Sequence, residues 1–128
     1  MSMKTPSPSP YKGQHGIKRI LNATSYSISG FKAAFKLEAA FRQIILLNIV
    51  LLVVNLSLDF SPVERILLIG VGFIAIIVEL FNSAIEAVVD RISLEKHELS
   101  KNAKDMGSAA QFVALSLIAI TWLIVLWG

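Results

Sequence analysis

Three long apolar stretches dominate the chain, and short polar segments separate them. They predict helices over residues 38–58, 63–90 and 104–127, each at least about the 20 residues that a helix needs to cross a hydrocarbon core of ~30 Å. Between the first two, Ser61 can cap a helix and Pro62 is tolerated in a first helical turn. The pattern predicts an all-α integral membrane protein with three transmembrane helices.

The region before the first span has two parts. Residues 1–13 contain Pro6-Ser-Pro-Ser-Pro10 and are predicted to be a disordered tail. Residues 17–36 repeat apolar side chains at helical spacing among lysine and arginine residues, which is typical of an amphipathic helix lying in the membrane interface. We therefore predict that residues 14–128 form a single membrane domain, made of this surface helix and the three spans.

The connection between the second and third spans is rich in charge. We predict that residues 91–105 are cytoplasmic and continue the second helix. The third span begins with Gly107-Ser-Ala-Ala110, small residues that permit close packing of helices. Trp122 and Trp127 near its end are predicted to lie in the outer aromatic belt.

The second span carries a polar stripe. At 100° per residue, Glu79, Asn82, Glu86 and Asp90 fall on one side of the helix. Glu79 lies deepest, about 20 Å from an outer end near Ile66, and an acidic side chain at the membrane centre costs about 2.5–3.5 kcal/mol. Ionisable residues at this depth generally serve a function, although a seam that only holds helices together fits the same pattern.

Composition and charge placement agree with a membrane protein. The hydrophobic fraction is 55% and the mean hydropathy +0.67, both high for a soluble domain, and the absence of cysteine excludes disulfides and thiol chemistry. Most basic residues precede the first span or lie between the second and third, which predicts a cytoplasmic N-terminus and a C-terminus outside. No groove-reading or base-stacking motif is present, so no nucleic-acid partner is predicted.

The chemistry must come from carboxylates and lysines, because the sequence has no glycine-rich phosphate loop and no Ser/His/Asp constellation. Mg²⁺ is bound by one or two carboxylates together with substrate phosphates, and phosphoryl transfer also needs a base and charge neutralisation. Glu38, Glu79, Glu86 and Lys104 can divide these tasks in a site that joins a lipid to a phosphate compound. Glu38 and Arg42 are four residues apart and could simply pair on the helix surface. The position of Glu38, where the helix meets the cytoplasmic headgroups, fits a metal role equally well.

The segment from Val78 to Arg91, followed by His97-Glu-Leu-Ser100 and Ala103-Lys-Asp-Met-Gly-Ser-Ala-Ala110, closely resembles the prokaryotic diacylglycerol kinase family, in its diacylglycerol branch. Glu38-Ala-Ala-Phe-Arg-Gln43 matches a second marked segment of that family. The resemblance extends over about residues 17–127.

This resemblance implies a homotrimer of three-span subunits in the bacterial inner membrane, with a periplasmic C-terminus. It implies transfer of the ATP γ-phosphate to sn-1,2-diacylglycerol, which gives phosphatidic acid in phospholipid metabolism. It also implies a site that is built from more than one subunit.

The resemblance further implies a role for each matched residue. Glu79 is expected to be the general base, with Asn82 orienting groups beside it, and Glu38 and Glu86 are expected to hold Mg²⁺. The residues expected at the nucleotide are Arg19, Tyr26, Glu38, Glu86, Asp90, Glu95, Lys96, His97, Lys104 and Asp105. The residues expected at the lipid substrate are Arg19, Ala23, Ala40, Phe41, Arg42, Gln43, Glu79 and Ser108.

Two other functions fit parts of the pattern. An undecaprenol kinase would use the same chemistry on another lipid, because the acceptor is set by the fit around its hydroxyl. A small proton-coupled transporter subunit would use Glu79 as its proton carrier. ATP-dependent labelling of an added lipid, with and without Mg²⁺, distinguishes a kinase from a transporter.

Overall fold

The computed structural model describes residues 15–128, and the prediction of a disordered tail over residues 1–13 lies outside this part. The described chain is all-helical, with α1 at Gly16–Leu37, α2 at Ala39–Ser57, α3 at Pro62–Ile92 and α4 at Glu98–Trp127. Helices α2, α3 and α4 are each long and apolar enough to cross a membrane. The predicted all-α fold with three helices able to span a membrane is therefore confirmed.

The helix α1 contains the predicted segment 17–36 in full. A boundary between two compact units falls after Ala33, within α1. In the part before this boundary, the hydroxyl groups of Thr24 and Ser27 donate to carbonyl oxygens four residues earlier, each over 2.9 Å. Apolar side chains such as Ile17 and Ile20 are exposed there.

Within the unit Ala34–Gly128, α3 is the central element, since it packs against both α2 and α4 and more extensively against α4. Its start follows the predicted capping: the Ser61 hydroxyl accepts from the Glu64 N–H (3.2 Å), and the Glu64 carboxylate accepts from the Ser61 N–H (2.9 Å). This capping box satisfies two otherwise unpaired backbone donors.

An apolar core joins α3 to its neighbours. It consists of seven buried residues contributed by α2, α3 and α4, namely Ile44, Leu68, Val71, Ala75, Ala114, Ile118 and Trp122. Trp122 is buried and meets Phe60 edge to face at 6.0 Å. The Trp122 ring packs inward against the α2–α3 loop, whereas Trp127 is exposed, and the position of both in the outer aromatic belt stays a prediction.

The α2–α3 loop is held by a polar pair. The Asn55 amide donates to the Arg65 carbonyl oxygen (3.1 Å), and the Arg65 guanidinium donates back to both the Asn55 side chain (2.9 Å) and its carbonyl oxygen. The guanidinium also reaches the carbonyl oxygens of Leu58 and Phe60, each at 3.4 Å. The pair fixes the register of α2 against α3 at this end.

The connection from α3 to α4 departs from the prediction of a continuous helix. Helix α3 ends at Ile92 and α4 begins at Glu98. Between the two helices, two side chains accept hydrogen bonds from backbone N–H groups. The Ser93 hydroxyl accepts from the Glu95 N–H (3.0 Å), and the His97 Nδ1 accepts from the Leu99 N–H (3.1 Å). Such local bonds compete with the helical ladder, so the chain can turn here and bring α4 back along α3.

Candidate active site between α3 and α4

A buried carboxylate lies at the interface of α3 and α4. Glu79 is only 4% exposed. Its Oε2 atom accepts a hydrogen bond of 3.0 Å from the Gln111 side-chain amide, which also donates to the Ala75 carbonyl oxygen at 3.2 Å. No lysine or arginine forms a salt bridge with Glu79 in the part of the chain that the structure describes. A buried carboxylate with an amide donor and no cation is available to accept a proton.

Further polar atoms surround this part of the interface. Asn82 and Ser83 are buried on α3. Within residues 15–128, the Asn82 Oδ1 and Ser83 Oγ atoms have no hydrogen-bond partner. Gly107 on α4 lies against Asn82, since a Cβ built there would meet Asn82 Cγ at 3.1 Å. The predicted close packing at the small-residue start of the third span is confirmed. The group that lies against Gly107 is the side-chain amide of Asn82.

The two carboxylates predicted to hold metal, Glu38 and Glu86, are both half-buried. Glu86 lies two turns along α3 from Glu79, about 10 Å at 1.5 Å per residue. Glu38 stands at the N-cap position of α2 in an extended conformation, without a capping hydrogen bond from its side chain. Arg42 does not pair with it; its guanidinium donates to the carbonyl oxygens of Phe35 (2.7 Å) and Lys36 (3.3 Å), at the end of α1.

The chemistry of this donor set fits a divalent cation that a substrate helps to bind. Neither Glu38 nor Glu86 forms a salt bridge within the described residues. The same part of the chain holds no group of three or more acidic or histidine side chains that could bind a metal unaided. Two carboxylates completed by phosphate oxygens are a common arrangement for Mg²⁺.

A cavity of about 590 Å³ opens where α3 ends and α4 begins. Its lining includes six of the predicted nucleotide-binding residues, namely Asp90, Glu95, Lys96, His97, Lys104 and Asp105. The other lining residues are Val89, Ser93, Leu94, Glu98, Ser100 and Lys101. Tertiary structure thus gathers residues from both sides of the helix break into one concave, charged surface.

Two salt bridges organise the α4 side of this cavity. The Lys104 ammonium contacts Asp90 across the two helices at 2.8 Å, and Lys101 contacts Asp105 one turn further along α4 at 2.6 Å. All four side chains are substantially exposed, so each pair is weak. An incoming polyphosphate can therefore compete for both ammonium groups.

The remaining predicted residues occupy other parts of the chain. Ala40, Arg42 and Gln43 are exposed at the start of α2, whereas the Phe41 side chain is only 2% exposed. Ser108 is exposed on α4, directly after Gly107. Arg19, Ala23 and Tyr26 are exposed on α1, at spacings of four and three residues that put them on one side of that helix.

Sequence reasoning missed Gln111 and Ser83. Gln111 is the only strongly polar side chain between Ala109 and Ile120 apart from Ser116, and that isolation was a usable signal. Ser83 gave none, because a serine in an apolar helix commonly bonds to its own backbone.

Comparison with known proteins identifies the family to which this chain is similar. A family model described as prokaryotic diacylglycerol kinase matches residues 25–126. A diacylglycerol kinase of Pseudomonas aeruginosa is 67% identical over 122 residues, which cover 95% of this chain and 99% of the relative. Those of Escherichia coli K12 (50% over 113 residues, 88% and 93% covered) and Haemophilus influenzae (45% over 107 residues, 84% and 91% covered) are also similar.

The family match covers most of the chain, including α2, α3, nearly all of α4 and the cavity between α3 and α4. It also covers the buried carboxylate and both half-buried ones. This chain belongs to the prokaryotic diacylglycerol kinase family.

Proposed function

We propose that the chain carries out its reaction at the α3–α4 interface, with Glu79 as the general base. Family membership makes the chain a lipid kinase, and its reaction is the ATP-dependent phosphorylation of diacylglycerol. The observation that carries the assignment of the base is the burial of the Glu79 carboxylate with an amide donor and no cation partner in the described chain.

In this proposal Glu79 accepts the proton of the diacylglycerol hydroxyl. The hydroxyl oxygen forms a bond to the γ-phosphorus of ATP, the bond from that phosphorus to the bridging oxygen breaks, and ADP leaves with the electron pair. Asn82, one turn along α3, carries a side-chain amide oxygen that has no hydrogen-bond partner within residues 15–128 and can orient the hydroxyl. The protein itself takes little part in the covalent chemistry, so positioning of the substrates and stabilisation of charge supply most of the catalysis.

The cavity at the α3–α4 connection is the proposed nucleotide site. Lys96, Lys101 and Lys104 supply ammonium groups that can bind phosphate oxygens, among the carboxylates of Asp90, Glu95, Glu98 and Asp105, and His97 offers a further hydrogen-bonding group. Glu86 lies about 6 Å from Asp90 and about 10 Å from Glu79 along α3, at 1.5 Å per residue. It therefore stands between the nucleotide cavity and the base.

Glu38 and Glu86 are the proposed ligands of Mg²⁺, and substrate phosphates complete the shell. When bound, the ion neutralises charge that develops on the phosphates. The two carboxylates suit this role because neither forms a salt bridge within residues 15–128.

We also propose that the working unit is a homotrimer in the bacterial inner membrane. At most 28% of the most apolar part of any of the three spanning helices is buried within the chain, so most of that surface is left for lipid or other subunits. The placement of basic residues supports a cytoplasmic N-terminus and a periplasmic C-terminus. In a trimer, Glu79 and a metal site can come from different subunits, which removes the need for one helix to bridge about 10 Å.

Helix α1 is proposed to lie in the cytoplasmic interface. Its exposed apolar residues and its lysines and arginines suit such a position. Arg19, Ala23 and Tyr26 are then the residues that meet the substrates from this helix. Ala40, Phe41, Arg42, Gln43 and Ser108 remain proposed lipid contacts near the other helices.

The decisive experiment is ATP-dependent labelling of lipid by the purified protein and by Glu79→Gln in the same lipid. The parent should label diacylglycerol in a Mg²⁺-dependent way. The variant should assemble normally and bind ATP with unchanged affinity, while its turnover falls at least ~100-fold, since a general base contributes about 10²–10⁴-fold.

An assembled Glu79→Gln variant that keeps more than about a tenth of the parent rate would exclude Glu79 as the base. A parent that prefers undecaprenol to diacylglycerol would contradict the proposed acceptor. Family membership favours neither undecaprenol as the acceptor nor a transporter function.

A further inference from the structure

Gln111 is the one buried polar side chain that α4 contributes among the described residues. Its amide nitrogen donates to two acceptors on α3, the Glu79 Oε2 atom at 3.0 Å and the Ala75 carbonyl oxygen at 3.2 Å. Ala75 and Glu79 are four residues apart, so both acceptors lie on one face of α3. The two N–H groups of the amide are therefore both used.

The chemistry of these acceptors determines which way the amide faces. Reversing it would set the Gln111 Oε1 atom against a carbonyl oxygen and a carboxylate, neither of which can donate when Glu79 is ionised. In the observed orientation, the bond from Gln111 to the backbone of Ala75 holds the amide, and the amide in turn holds Glu79 Oε2. A carboxylate on a flexible side chain is thereby anchored to the backbone of its own helix.

While the Gln111 amide nitrogen bonds to Glu79, the amide oxygen of the same side chain is left without a partner in the described chain. The Gln111 Oε1 atom is buried and has no hydrogen-bond partner within residues 15–128. An unpaired buried acceptor is destabilising, and an apolar side chain of similar volume would avoid this. The stability of the α3–α4 interface therefore does not by itself explain a glutamine at this position.

We infer that Gln111 is a positioning residue for the phosphoryl-transfer reaction. It fixes Oε2 of Glu79 against α4, so that the other carboxylate oxygen is the one presented to the proton of the lipid hydroxyl. This inference rests on the proposed role of Glu79 as the base. The competing role is that of helix glue, in which the bond only holds α4 to α3.

The two roles predict opposite results for Gln111→Met, which keeps the volume and removes the donor. A positioning role predicts that kcat falls about 10-fold, because the base stays but is no longer held in line. The KM for ATP should change less than 2-fold, and the thermal stability of the assembled protein should stay equal or rise. The matched control is Ser116→Ala. It removes a hydroxyl of α4 that, among the described residues, donates to the Phe112 carbonyl oxygen of its own helix, and it should leave kcat unchanged.

The same substitution in a Glu79→Gln background isolates the pair. If Gln111 acts through the Glu79 carboxylate, the double variant should have a rate within 2-fold of Glu79→Gln alone. Gln111→Asn shortens the side chain by one methylene and should lower kcat as Gln111→Met does. It replaces the methionine variant in the test if that variant does not assemble.

Three results would overturn the positioning role: an unchanged kcat, an equal loss in both backgrounds, or a failure of both Gln111 variants to assemble. Failure of the base assignment is seen separately, in the rate of the Glu79→Gln single variant.

Discussion

The α3–α4 interface has two halves that differ in how fully their atoms are partnered. In the apolar half, Leu68 and Val71 of α3 belong to the same buried core as Ile118 and Trp122 of α4. In the polar half, Glu79, Asn82, Ser83 and Gln111 are equally buried, yet three of these four side chains have an atom without a hydrogen-bond partner in the described chain. The apolar half has one such atom among the described residues, the indole nitrogen of Trp122.

The comparison indicates a division of labour along one pair of helices. Packing in the apolar half sets the distance and rotation of α4 against α3. The polar half can then hold a group such as the Asn82 amide oxygen, which we propose is left for a substrate, because its own contacts do not have to hold the helices together. Substitutions in either half test this division, and they are given in order of decreasing expected effect.

The largest effect is expected in the polar half from Gly107→Ala. The added Cβ would occupy the place of the Asn82 amide oxygen, so the Asn82 side chain must swing away. We expect turnover to fall about 100-fold, comparable to losing one preorganised polar group at a reacting centre, while assembly is kept. The measurement is specific activity of the assembled protein.

The matched control for this substitution is Gly70→Ala on α3. A Cβ there meets nothing within 4 Å, and replacing a helical glycine by alanine stabilises by up to about 1 kcal/mol. Equal activity losses in the two glycine variants would refute the role given to Asn82.

The apolar half is broken by Leu68→Ala. Leu68 is 3% exposed, so its truncation leaves a cavity that should destabilise the protein by about 2 kcal/mol. This is the low end of the range for leucine-to-alanine changes, because lipid offers the unfolded helices similar apolar contacts. The specific activity of the fraction that remains folded should stay within 2-fold of the parent.

Denaturant or thermal unfolding of the assembled protein measures this loss, and Leu67→Ala is the control. Leu67 is the neighbouring residue of the same type but 53% exposed, so its truncation should change stability little. A large fall in specific activity for Leu68→Ala with unchanged stability would contradict the division of labour.

A third prediction concerns the proposed metal ligands beside the polar half. Glu86→Gln removes a half-buried carboxylate without breaking a salt bridge. The Mg²⁺ concentration for half-maximal turnover should rise about 10-fold, with partial recovery at high Mg²⁺, because one carboxylate of two remains. The exposed loop residue Asp59 provides the control, as Asp59→Asn, and an unchanged Mg²⁺ dependence of Glu86→Gln would remove Glu86 from the metal shell.

The smallest effect is expected from Ser83→Ala. The Ser83 hydroxyl is buried without a partner in the described chain, so its removal should leave stability unchanged or raise it by up to about 1 kcal/mol, with turnover within 2-fold. Unfolding and activity assays on the purified variant test this, and a marked loss of stability would mean that the hydroxyl is bonded in the assembled protein.

The sequence by itself determined the helices that can span a membrane and the polar stripe on the second one. Both follow from local periodicity: apolar runs of sufficient length, the cap at Ser61, and four polar residues at helical spacing. It also determined the family, since the matched segments are long and rich in acidic residues.

Tertiary structure alone decided which atoms meet. The break at 93–97 depends on side-chain bonds from Ser93 and His97 that helical propensity does not reveal, and Trp122 packs inward because the α2–α3 loop brings Phe60 to it. The bond from Gln111 to Glu79 joins residues 32 positions apart. Such a pair is invisible to any local pattern, because its geometry depends on how α4 returns along α3 and on the apolar packing that sets their register.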